Sequence, residues 1–187
     1  MTRRFRNRTR FILEEVRDVL DRVDSNQVDD LVKALLRAEK VFVYGQGRTG
    51  HISRAFAVRL MHLGRAAHFV GETTVPRISR RDLCLVNSGS GQTRFVYHVA
   101  SVAKEAGAKV ATITAHPEAP IAKVSDIVVA VPAPTKGEVD RLSGTRQPPG
   151  SLFEQVALIL LDAVVLVMME RLRITPRMLA RRHANIE

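Results

Sequence analysis

Five short runs of this sequence are β-rich, most of them apolar on consecutive rather than alternate positions: VFVYG (41–45), AAHFVG (66–71), DLCLVN (82–87), KVATIT (109–114) and DIVVAV (126–131). A strand with one wet face alternates, whereas a strand covered on both faces need not, so these runs read as parallel strands inside a sheet. Helix-period segments at 49–63 and 92–106 lie between them, each followed by a glycine in the C-cap role, Gly64 and Gly107. Strand, helix, strand in succession predicts a three-layer α/β sandwich, a five-stranded parallel sheet flanked by helices. If the first and third strands are neighbours, the order is the flavodoxin-like 2-1-3-4-5.

The rest of the chain fits around that core as a single domain over 1–187. Two amphipathic helices are predicted at 9–22 and 27–38, with Ser25 or Asn26 as N-cap between them, ahead of a sheet core at 41–131. Residues 1–10 read as a flexible basic head, 132–150 as a long Pro- and Gly-rich loop, and 151–187 as C-terminal helices. The run VALILLDAVVLVMM (156–169) is shorter than the ~20 residues a bilayer requires and carries Asp162. It reads as a buried helix at an oligomer interface, with no membrane partner. The N-terminus lacks the apolar stretch of an export signal, and a single cysteine, Cys84, forms no intrachain disulfide; a reducing cytoplasm is the expected compartment. The formal charge of +10 raises nucleic acid as a partner. The arginines crowd the two termini, however, and Trp is absent, so solvated faces are expected and no nucleic-acid partner.

Two loops could carry chemistry. GQGRTG (45–50) follows the first strand and opens a helix, which fits a dinucleotide pyrophosphate site with Glu72 as the ribose acid, or simply a tight turn. NSGSGQT (87–93) stands in the equivalent place after the third strand. Ser88, Ser90 and Thr93 offer hydroxyls there, and Gly89 and Gly91 let backbone N–H groups approach an anion at the helix start near Gln92. A cap needs less than this, so the loop is predicted to hold phosphate. Two facing loops suit a phosphorylated sugar better than a dinucleotide. In PPGSLFEQ (148–155), Ser151 and Glu154 are spaced as a capping box, and Glu154 is equally placed to be a working base.

GQGRTG, AVRLMHLG, HFVGETTVP, NSGSGQT, GSLFEQ and the closing RHANIE, in this order, resemble the 6-phospho-3-hexuloisomerase family of the sugar isomerase (SIS) domain superfamily from about residue 25 onward. The resemblance implies the SIS fold and interconversion of D-arabino-hex-3-ulose 6-phosphate and fructose 6-phosphate in formaldehyde fixation through ribulose monophosphate. It further implies a homotetramer with no metal and no organic cofactor. By the same resemblance, residues 88–93 hold phosphate, Thr49 contacts substrate beside Gly47 and Arg48, and Glu154 accepts the proton. Thr49 stands where relatives usually have serine and Gln92 where many have glutamate.

The chemistry asks for such residues: the carbonyl moves from C3 to C2 through a 2,3-enediolate, and one carboxylate can serve both carbons. The enediolate needs donors, for which Arg48, Thr49 or backbone N–H groups are available. His183 is a candidate for moving protons between substrate oxygens or opening the fructose ring, entering from a neighbouring subunit, or else a surface histidine at a helix end. His62, mid-helix, reads as a packed or interface histidine.

Overall fold

The computed structural model describes residues 2–136 and 145–186. Its elements run α1 (Thr2–Leu20), α2 (Ser25–Arg37), β1 (Lys40–Gly45), α3 (Arg48–His62), β2 (Ala66–Phe69), β3 (Leu83–Asn87), α4 (Arg94–Glu105), β4 (Lys109–Thr114), α5 (Pro120–Val124), β5 (Ile127–Ala130), α6 (Ser151–Leu172) and α7 (Pro176–Ala180). The five strands form one sheet in the order β2-β1-β3-β4-β5, every pair parallel. Val41, Val43, Leu83, Leu85, Val110 and Ile113 are buried with their in-between neighbours, the burial on both faces that unbroken apolar runs imply. Helices α3 and α4 pack on strands of the sheet, and α6 packs against α1, α2 and α3.

Two aspartates tie the starting edge of the sheet. Asp82, just ahead of β3, accepts from Lys40 N (3.1 Å) on β1 and from the Ser79 amide (2.7 Å) and hydroxyl (2.8 Å). Asp126, just ahead of β5, accepts from Val110 N (2.9 Å) on β4. Burial pushes the Asp82 carboxyl up, but the Ser79 donors and Lys40 outweigh it, and the group ends below the usual carboxylate range. Asp126 ends lowered in the same way, burial being outweighed by Lys104 and the Val110 amide.

The helical regions differ from the sequence reading in three places. A single helix runs from Thr2 to Leu20, so the basic residues 3–10 are its exposed first half rather than a separate head. The N-cap of α2 is Asp24, whose side chain accepts from Asn26 N (2.8 Å), not Ser25 or Asn26. Helix α6 takes in residues on both sides of the apolar run and reaches 22, long and apolar enough to cross a membrane by length and composition. More than half of its most apolar window is buried inside the protein, and Asp162 lies on the exposed side. Of the long loop expected at 132–150, residues 137–144 lie outside the described residues. The part after them is held by α1: Thr145 Oγ1 (2.8 Å) and Gln147 Nε2 (2.7 Å) both donate to Glu15.

Candidate active site

Strands β1 and β3 are adjacent and end in register, Gly45 opposite Asn87, which makes this the point where the chain's winding reverses. The loop after β1 turns sharply. A Cβ on Gly50 would stand 2.7 Å from the Gly45 carbonyl oxygen, and one on Gly45 would stand 2.8 Å from the Thr49 oxygen. Only a pair of glycines lets the end of β1 lie this close to the start of α3.

A crevice of about 120 Å³ opens there, lined by Gln46, Thr49, Ser88, Gly89, Ser90, Thr93, Thr135, Lys136, Gly150, Phe153 and Glu154. The starts of three helices, α3, α4 and α6, border it. Each brings the positive end of a helix dipole, so the crevice favours an anion before any side chain is counted. In the Ser88–Thr93 loop the hydroxyls do not cap α4: Thr93 is its N-cap residue and makes no side-chain cap bond. Instead Ser88 Oγ and Thr93 Oγ1 lie 3.3 Å apart, Ser90 Oγ accepts from Gln92 N (3.3 Å), and Thr114 Oγ1 donates to Gly89 O (3.3 Å). Thr93 thus gives the first-turn amides of α4 no side-chain cap at the edge of the crevice.

Glu154 sits on the opposite wall, in the first turn of α6, with its side chain only 5% exposed. The capping box does not form. Gly150 is the N-cap residue, with a left-handed backbone (φ 82°) and no side-chain cap, and Ser151 N donates to Pro148 O (3.0 Å). The Glu154 carboxylate turns toward the crevice, where Arg48 Nε donates to its Oε2 and Lys136 Nζ stands 4.0 Å from its Oε1. Phe153 packs its ring where a Cβ on Gly89 would come within 3.1 Å, joining the two walls. A buried carboxylate thus faces a hydroxyl- and amide-bearing loop across the crevice, an arrangement chemically able to pass a proton to and from a small anionic ligand.

Of the residues singled out from sequence, Thr49, Ser88, Gly89, Ser90, Thr93 and Glu154 line the crevice, and Arg48 joins through Glu154. The Thr49 hydroxyl donates to Gln46 O (2.9 Å). Gly47 (φ 63°) and Gly91 (φ 61°) shape the two turns, and Gln92 is exposed outside the crevice lining. Glu72 pairs with Arg54 (3.2 Å) on the exposed side of α3 rather than awaiting a ribose. His183 does not enter the crevice of its own chain. It stacks on His62 with ring centroids 3.8 Å apart, at the far end of α3, about 20 Å along the helix from Arg48. Sequence reasoning missed Gln46, Thr135, Lys136 and Gly150. Lys136 and Gly150 come from the Pro- and Gly-rich connection, where no periodicity marks a position as facing a site.

Residues 34–156 match the SIS domain family. The chain is 42% identical to 3-hexulose-6-phosphate isomerase of Mycobacterium gastri over 182 residues, covering 97% of this chain and 90% of the relative. It is 37% identical to 3-hexulose-6-phosphate isomerase of Bacillus subtilis over 176 residues, covering 94% and 95%. A solved structure from Methanococcus jannaschii, described as inferring a 3-hexulose-6-phosphate isomerase function, superposes with a TM-score of 0.83 at 32% identity, covering 97% of this chain and 99% of that one.

Proposed function

The chain belongs to the SIS domain family, and from that premise we propose that it interconverts D-arabino-hex-3-ulose 6-phosphate and fructose 6-phosphate. The observation that carries this reading is the buried Glu154 carboxylate facing the Ser88–Thr93 loop across one crevice. Phosphate bound at the start of α4 anchors the sugar, and Glu154 takes the C2 proton and returns a proton at C3. The electron pair of the broken C2–H bond enters a C2–C3 double bond, giving the 2,3-enediolate. The O2 hydroxyl proton passes to O3 before C3 is protonated. Arg48 lies against the same carboxylate and orients it.

Formaldehyde fixation through ribulose monophosphate, in the cytoplasm, is the setting this activity suits. A homotetramer is the proposed assembly, supported by an outward stripe of α6 in which Leu158, Ile159 and Leu166 are exposed, and by Val58 and Met61 exposed on α3. His183, remote from its own crevice, could meet substrate only in a neighbouring copy. A phosphosugar-binding module without turnover is the competing reading, and one experiment separates the two. Hexulose 6-phosphate is generated from ribulose 5-phosphate and formaldehyde, the purified protein is added, and fructose 6-phosphate is measured. Rapid formation is expected; folded protein that binds fructose 6-phosphate but makes none from the hexulose is the binding module.

A further inference from the structure

Lys136 is exposed and lies in a connection, yet its placement is not that of a free surface lysine. Thr135, next to it, is buried, with its hydroxyl 3.3 Å from His116 Nε2, which fixes the backbone from which Lys136 departs. The Lys136 stem lies over Gly150: a Cβ there would stand 3.1 Å from Lys136 Cγ and 3.2 Å from Cε. The missing side chain at 150 is therefore what lets the ammonium reach the crevice, which it lines.

Two cations face one carboxylate, and they are not equivalent. Arg48 donates directly to Glu154 Oε2 and is not among the crevice-lining residues. Lys136 Nζ, at 4.0 Å from Oε1, is beyond hydrogen-bond range of the carboxylate, so its N–H donors are not spent there. Lys136 and Glu154 both line the crevice, so a ligand seated there can meet the ammonium and the carboxylate together. When Glu154 takes the proton it becomes neutral, and the negative charge appears on the substrate oxygen instead. A cation held beside both positions gains an interaction in the transition state that it lacks with the neutral ketose, the condition for accelerating the chemical step.

We propose that Lys136 is a catalytic residue whose ammonium holds the negative charge of the 2,3-enediolate. This rests on the isomerase reading above. Proton removal at C2 sends the carbonyl π pair onto O3, facing Lys136, and the charge moves to O2 when the O2 proton passes to O3. Lys136 stays protonated throughout and exchanges no atom with the substrate.

The test is Lys136→Met beside Lys136→Arg, assayed for turnover of hexulose 6-phosphate, with fructose 6-phosphate binding followed by calorimetry. Lys136→Met should lower kcat by about 10²–10³-fold, the size of losing one oxyanion donor, with KM and fructose 6-phosphate affinity changed little and melting unchanged. Lys136→Arg, which keeps the charge in a different shape, should turn over about tenfold or more faster than Lys136→Met. A Met variant with wild-type kcat, or one whose loss lies only in KM and affinity, overturns the assignment and makes Lys136 a binding residue at most. If the wild type itself produces no fructose 6-phosphate, the isomerase reading falls and this proposal with it.

Discussion

At the scale of single residues, the centre turns on Glu154, and the conservative substitution isolates its role. Glu154→Gln keeps the shape and the buried contacts but removes the base. We expect kcat to fall by roughly 10²–10⁴-fold while fructose 6-phosphate binding, measured by calorimetry, persists. Equal activity would reduce Glu154 to a structural residue. Glu154 was legible in the sequence because helix starts have a grammar and a resemblance marked this one. Lys136 was not: it stands 18 positions upstream, and its relation to Glu154 exists only through the bare backbone of Gly150. His183 was legible as a candidate by chain order, which says nothing about distance in space. Cys84 offers a separate test. Burial raises its thiol to about 12, against an ordinary value near 9 that it regains on unfolding. Above pH 9 the unfolded chain loses this proton and the folded chain keeps it, so the stability Cys84 contributes is present below pH 9 and lost as pH rises toward 12. Denaturant midpoints measured from pH 8 to 11 should fall less steeply in Cys84→Ala than in the wild type.

At the scale of elements, the strands could be read from unbroken apolar runs because burial on both faces leaves its mark on every position. The helix boundaries could not, since caps depend on which side chain reaches which amide: Asp24 outcompeted Ser25, and Gly150 rather than Ser151 opens α6. The two edges of the sheet then do different work. At the ligand edge, Gly50→Ala sets a methyl against the Gly45 carbonyl. The resulting shift of α3 should cost about 1–3 kcal/mol in chemical denaturation and move Arg48 and Thr49 enough to lower turnover. At the starting edge, Asp82→Asn should weaken the β1–β3 pairing without touching the crevice. Because the Asp82 carboxyl is lowered in the fold, its contribution holds above the ordinary carboxylate range and fades as pH falls through the folded value. The acid limb of the stability curve should therefore flatten in Asp82→Asn, read by thermal melting between pH 2 and 5.

At the scale of the whole molecule, α6 is the element that every other property meets. Its inward residues fill the core, its first turn carries Glu154, and its outward stripe leaves Leu158, Ile159 and Leu166 exposed. Leu166, 60% exposed in one chain, is the point at which to challenge the proposed tetramer. Leu166→Glu should convert it to smaller species by light scattering while leaving the monomer fold intact by circular dichroism. The sequence suggested such an interface because this segment is apolar nearly all round. It could not say that one continuous helix would join that surface to the carboxylate proposed as the base. Leu166 and Glu154 are twelve residues apart, about 18 Å on a single rod. A push at one end of such a rod arrives at the other as a change in aim, so the proposed tetramer would make subunit association and reaction rate mechanically one variable. Progressive dilution should reveal this as a falling rate per chain, reporting dissociation in the currency of catalysis before it shows as a change in mass.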